Sequence, residues 1–214
     1  RARIWAQDLL FALNELSVLN VTEGSQFQGT LDFTRAGAFG HSFGGRAAAT
    51  ACILDPRLKA CLNEDGTGDE GQRRRPYWPI PGRRLAGSFA MFDWFDSGFD
   101  EKDFAAMHTT LEDFAAARLR VSGEALDVYQ DTLNGSYRFT LLEAGMSHTA
   151  FTDLRWLTAT DGNRPLFARY LESIRRTVRS FFDGTVKEKS GPSFKCGAVT
   201  EAVYTQCYSA AAIK

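Results

Sequence analysis

The alternation of apolar runs predicts an α/β chain with a mainly parallel sheet and helices on both faces. Two observations carry that prediction. Short apolar runs of strand length recur around residues 32–40, 58–63, 88–94 and 137–145, separated by stretches of helical periodicity or by loop. One junction, "AFGHSFGGRAAA" at 38–49, sets Ser42 among Gly40, Gly44 and Gly45 where the first run gives way to an alanine-rich one. The 214 residues are 44% hydrophobic and 24% charged, material for one sizeable core and too little for two.

The elements follow in order. Trp5, Leu9, Ala12, Leu13 and Leu16 share one face of a helix over 3–16. "LNVTEGSQFQGT" is a loop, and "DFTRAGAFG" a short, largely buried strand. "GRAAATACIL" reads as a helix whose small side chains let it lie close on a sheet. A turn at Asp55 and Pro56 leads into a strand over 58–63 that ends in Glu64, Asp65 and Gly66. Residues 67–87 are loop, their arginines forming a solvated face, and "SFAMFDW" is the third strand.

Phe104, Met107, Leu111, Phe114 and Ala115 recur at helical spacing in a helix over 101–118, and Ala125, Leu126, Tyr129 and Leu133 suggest another. "YRFTLLEAG" is the fourth strand, and a long helix over 166–182 precedes a polar tail. The expected organisation is one domain over residues 1–190, with 93–135 as a cap over one sheet end and 191–214 as the tail. Phe89, Phe92, Trp94, Phe95 and Phe99 are expected as core rather than as an acyl pocket.

A formal net charge of −1 gives no general electrostatic reason to seek nucleic acid. The longest apolar run, Ala47 to Leu54, is far too short to span a bilayer. The opening "RARIWAQDLL" has neither an initiator Met nor a helix cap, and reads as the start of a truncated or processed product. Cys52 and Cys61 lie in apolar stretches and are expected as buried free thiols, whereas Cys196 and Cys207 could close a small loop in an oxidising compartment. Two sequons, at Asn20 and Asn134, fit secretion. No His/Cys group has zinc-ligand spacing, so neither a metal nor a cofactor is expected.

Gly40-His41-Ser42-Phe43-Gly44 matches GxSxG, the nucleophile elbow, with a strand before it and a helix after it. That context predicts the α/β-hydrolase fold. The turn is tight enough to strain the serine backbone, and side chains two residues to either side would collide with neighbouring chain. The serine oxygen then rises above the carboxyl edge of the sheet, beside a helix N-terminus whose free N–H groups favour developing negative charge.

A serine hydroxyl needs a base. The chain has three histidines. His41 adjoins Ser42 and should point away from the serine oxygen, and His108 lies within the 101–118 helix. His148 follows the fourth strand, in the late position that the order Ser…Asp/Glu…His requires, and is the expected base. For the acid, Asp65 leads. Glu64 beside it faces the opposite way, so the two cannot both serve. Asp93 and Asp96, after the third strand, occupy the position most such hydrolases use, and residue chemistry alone ranks them nearly level with Asp65.

The stretch "LDFTRAGAFGHSFGGRAAATACILDPRLKACLNEDG", with "GMSHTAFTD" downstream, resembles the plasma-type platelet-activating-factor acetylhydrolases and their microbial relatives. The match covers roughly residues 30–66 and 137–156. It implies Ser42 as nucleophile, Asp65 as acid and His148 as base, with Phe151 and Asp153 matching the pattern after the histidine. It implies as substrate short or oxidised acyl chains on phospholipids, or simpler carboxylic esters, with contact to a lipid surface. The family carries several strands before the helix with which this chain begins. On that comparison the N-terminal strands and the second oxyanion donor are missing here, and the backbone N–H of Phe43 is the donor that remains. Losing one such donor typically costs about 10²–10³ in rate. The alternatives are a polyester or cutinase-like hydrolase, and a hydrolase-fold binding protein that has lost turnover.

Overall fold

The computed structural model describes residues 2–66, 85–94, 101–110, 135–141, 148–187 and 203–208. Strands β1 (Ala36–His41), β2 (Leu58–Glu64), β3 (Ser88–Trp94), β4 (Ser136–Leu141) and β5 (Val203–Tyr208) form one sheet in that spatial order. The first four are parallel, and β5 runs antiparallel to β4. The predicted fold class is what the chain adopts. The fifth strand corrects the reading of 191–214 as a polar tail. "VYTQCY" holds β-branched and aromatic residues among polar ones, a pattern suited to an edge strand, but offers no continuous apolar run to notice.

Two helical layers enclose the sheet. On one face lie α1 (Ala2–Val21) and α2 (Phe43–Leu54), packed with Ala38, Leu58, Cys61, Phe89 and Met91. On the other lies α5 (Arg164–Phe182), over Ala60, Leu62, Phe92, Phe139 and Leu141. The switch of face from Cys61 to Leu62 is the period of two that a strand imposes. Helix α2 buries Ala47, Ala48, Ala49 and Ala51, short side chains that let its backbone approach the strands. Helix α5 buries Tyr170, Ser173, Ile174, Thr177 and Phe181, spaced as one face of a 3.6-residue helix. Between β4 and α5 come a 3₁₀ turn (His148–Phe151) and α4 (Leu154–Leu157).

Four expectations need correction. The inward stripe of α1 is Ala6, Leu9, Leu10 and Leu13, while Trp5 is 54% exposed and meets Phe43 edge-on at 4.8 Å. Strand β1 is less buried than expected, with Phe39 57% exposed, because it ends the row of described strands. Cys52 and Cys61 are joined as a disulfide rather than free, since α2 packs its last turns on the face of β2 that carries Cys61. The helix over 101–118 is described as α3 (Glu101–Ala106), and His108 follows it in a turn at φ 52°.

Residues 67–84 and 111–134 lie outside the described residues, and with them the arginine-rich loop, the second cap helix and the Asn134 sequon. The same holds for Phe95, Asp96, Phe99 and Cys196. The other sequon residue, Asn20, uses its side-chain amide to pin the following loop, donating to the carbonyl of Leu31 and accepting from its N–H. Among the described residues no helix is long and apolar enough to cross a membrane.

Candidate active site

Parallel strands β1 and β2 deliver consecutive site residues at their carboxyl ends, where open α/β sheets place ligands. Ser42 follows β1 at φ 56° and ψ −124°, a left-handed conformation costly for any residue with a Cβ. Its N–H donates to the Glu64 carbonyl at 2.7 Å, tying the turn to β2. Gly40 is obligatory: a Cβ there would stand 2.6 Å from the Gly44 carbonyl carbon. The expectation fails at Gly44, where a Cβ would meet nothing within 4 Å. The close approach belongs to Gly45, whose added Cβ would lie 2.1 Å from Asn63 Oδ1 and 2.5 Å from the Gly40 carbonyl oxygen.

Asn63 is a residue the sequence reading passed over. It is buried at the end of β2, and its Oδ1 accepts the N–H of Gly66 at 2.9 Å, folding the chain sharply after the strand. A lone amide inside an apolar strand run, next to "EDG", was the signal available. That fold places Asp65 at φ 48°, with its N–H donating to the Phe92 carbonyl at 2.8 Å. Ser42 occupies the N-cap position of α2, yet its hydroxyl makes no capping bond. The hydroxyl instead lies 2.8 Å from His148 Nε2.

Asp65 Oδ2 lies 2.7 Å from His148 Nδ1. An ionised carboxylate only accepts, so Nδ1 carries the hydrogen, Nε2 is the acceptor, and the Ser42 hydroxyl donates to it. The Asp65 side chain is 8% exposed and that of His148 47%, so the acid is sheltered while the imidazole is partly open to solvent. Asp93, the other acid candidate among the described residues, is bonded elsewhere. Asp93 is buried on β3 and accepts from Arg138 Nη2 at 2.8 Å and Nε at 3.1 Å, in a pair almost entirely out of solvent. Asp96 lies outside the described residues.

Below the histidine, Phe151 packs edge-on against Phe92 at 5.1 Å and roughly parallel to His41 at 6.1 Å, seating the 3₁₀ turn on the sheet. Asp153 faces Arg175 across 3.7 Å in an exposed ion pair. Burial raises the Glu64 carboxyl to a pKa of about 7, whereas desolvation pulls His41 below the ordinary imidazole value. The first N–H groups of α2, beginning at Phe43, have no partner within the helix and carry its positive dipole end.

The parallel sheet with helices on both faces, and the strand–serine–helix turn at its carboxyl edge, define a fold of the α/β-hydrolase type. Among solved structures the chain is similar to a ferulic acid esterase from Streptomyces cinnamoneus, with a TM-score of 0.60 and 20% sequence identity. The alignment covers 96% of this chain and 54% of that one, so the chain spans about half the length of the structure it matches. No family model matches the chain, and no curated protein matches it.

Proposed function

We propose that this chain carries the reacting groups of a serine hydrolase that cleaves carboxylic esters through an acyl-enzyme. The observation that supports this most is the unbroken line from Asp65 through His148 to Ser42, with contacts of 2.7 and 2.8 Å. In this reading the Ser42 oxygen attacks the ester carbonyl carbon as His148 Nε2 takes its proton. The tetrahedral oxyanion is met by the Phe43 N–H at the positive end of α2. Collapse breaks the bond to the alcohol, which leaves with the proton from His148. Water then attacks the acyl carbon as the same nitrogen takes its proton; collapse breaks the bond to the Ser42 oxygen, which recovers that proton from His148, and the acid leaves. Asp65 keeps the imidazole in the tautomer with hydrogen on Nδ1 throughout.

The substrate class follows the resemblance noted in the sequence: short or oxidised acyl esters of phospholipids, or simple short-chain esters. The likeness to a ferulic acid esterase supports the fold on which such chemistry runs. The test is covalent capture of Ser42 in the full-length protein by a fluorophosphonate, alongside turnover of a short-chain ester. Rapid labelling of the native protein and none of Ser42→Ala is expected. Equal labelling of both would remove Ser42 from the nucleophile's place, and failure to label the native protein would favour a hydrolase-fold binding protein.

A further inference from the structure

His41, one residue before the serine, is linked to the histidine across the sheet edge. The side chain leaves β1 on the face opposite the elbow helix, where the His148–Phe151 turn packs. Its Nε2 lies 2.7 Å from the backbone carbonyl oxygen of His148, a contact across 107 residues of sequence. A carbonyl only accepts, so Nε2–H of His41 donates. The two imidazole rings stand 4.4 Å apart at 42°, and the His41 ring also neighbours Phe151 at 6.1 Å.

We propose that His41 is a positioning residue for the reaction described above: its Nε2–H holds the backbone of His148 so that the imidazole reaches both Asp65 and Ser42. The inference rests on the reading of Ser42, Asp65 and His148 as the reacting groups. The His148 side chain is 47% exposed, so packing holds it on one side only. Its two side-chain bonds fix the ring plane, but they do not fix the distance of its Cα from the elbow. The His41 bond does that, because His41 and Ser42 are consecutive residues and move together. A proton is relayed efficiently only between atoms held in hydrogen-bond reach, and displacement by about 1 Å can cost 10²-fold.

The ring must also stay neutral. In the proposed cycle His148 becomes cationic, and a second imidazolium 4.4 Å away would oppose that charge. Desolvation of His41 lowers its pKa and so favours the neutral ring.

The experiment compares His41→Gln with His41→Met in the full-length protein. Both remove the ring; only Gln keeps an N–H that reaches the carbonyl. Turnover of a soluble short-chain ester is measured with melting temperature, and NMR follows the deshielded proton that His148 Nδ1 donates to Asp65. The proposal expects His41→Met to lower kcat by about tenfold to a hundredfold at unchanged KM, with the Nδ1 proton signal broadened. His41→Gln should retain most of kcat and the sharp signal. Equal kcat in the two variants overturns the proposal, whether both are high or both low. If His41→Met does not fold, His41→Ala takes its place in the same comparison. Ser42→Ala run in parallel separates the two readings: full turnover there defeats the serine mechanism itself, whereas its loss together with equal His41 variants defeats only the role of His41.

Discussion

Ser42 and Asp65 stand at the ends of neighbouring parallel strands, both in left-handed backbone conformation, at φ 56° and 48°. The Ser42 N–H is bonded to the carbonyl of the residue before Asp65. Two such positions side by side, each costing of order 1–3 kcal/mol for a non-glycine residue, are held by surrounding contacts rather than by local preference. Those contacts run through Asn63, Gly45 and Gly66, where backbones approach so closely that no Cβ fits. The strain turns a hydroxyl and a carboxylate away from their own strands and toward the same imidazole.

That close approach makes the glycines unequal. Gly45→Ala forces a Cβ to 2.5 Å from a backbone oxygen, and overpacking of this kind costs about 1–3 kcal/mol or more. Gly44→Ala meets nothing within 4 Å and replaces a poor helix former with the best one. Thermal unfolding should show a clear fall in Tm for Gly45→Ala and none for Gly44→Ala. The reverse order would mean that the elbow packs differently from the arrangement described.

Asp65 and Asp93 should fail in different ways. Asp65→Asn keeps the shape but leaves the imidazole in the wrong tautomer, a change that costs about 10⁴ in turnover in a comparable triad. Asp93→Asn removes the negative charge that faces the Arg138 guanidinium in the core, and breaking a buried pair costs about 3–5 kcal/mol of stability. Its expected signature is a lowered denaturant midpoint with near-normal turnover per folded molecule. A large kcat loss in a stable Asp93→Asn, with a mild Asp65→Asn, would return the acid to the position after the third strand.

Glu64 sets a pH dependence of stability. Burial raises its carboxyl from 4.5 to about 7. Between those values the folded chain holds a proton that the unfolded chain has released, so stability falls as pH rises, and the loss is complete above about pH 7. The span corresponds to roughly 3 kcal/mol. Glu64→Gln should therefore match the parent protein near pH 4.5 and exceed it at pH 8, read from urea midpoints at the two pH values. Parallel pH profiles for the two proteins would contradict the burial assigned to Glu64.

The parts of the fold that could be read from the sequence are those with one physical signature each. Strands β2, β3 and β4 are buried on both faces and so appear as largely apolar runs, and the elbow shows as glycines around a serine where a strand gives way to a helix. Strand β5 was missed because an edge strand mixes apolar and polar residues. The Cys52–Cys61 bond was missed because apolar surroundings speak for burial and say nothing about which thiols meet. At the site, Ser42 and His148 followed from motif and chain order. Asp65 did not separate from Asp93 by residue chemistry, since the difference is a partner, Arg138, that lies 45 residues away from Asp93. What Gly45, Asn63 and His41 do could not be read from the sequence, because it depends on contacts between β1, β2 and the turn at His148.

The proposal that Asp65, His148 and Ser42 act as one unit meets its most direct test in a double-mutant comparison on the full-length protein. Ester turnover is measured for Ser42→Ala, His148→Ala and the pair. Groups that act together are strongly non-additive. Each single variant should lose several orders of magnitude, and the double variant hardly more than either. Full activity in His148→Ala, or losses that multiply in the double variant, would contradict the account.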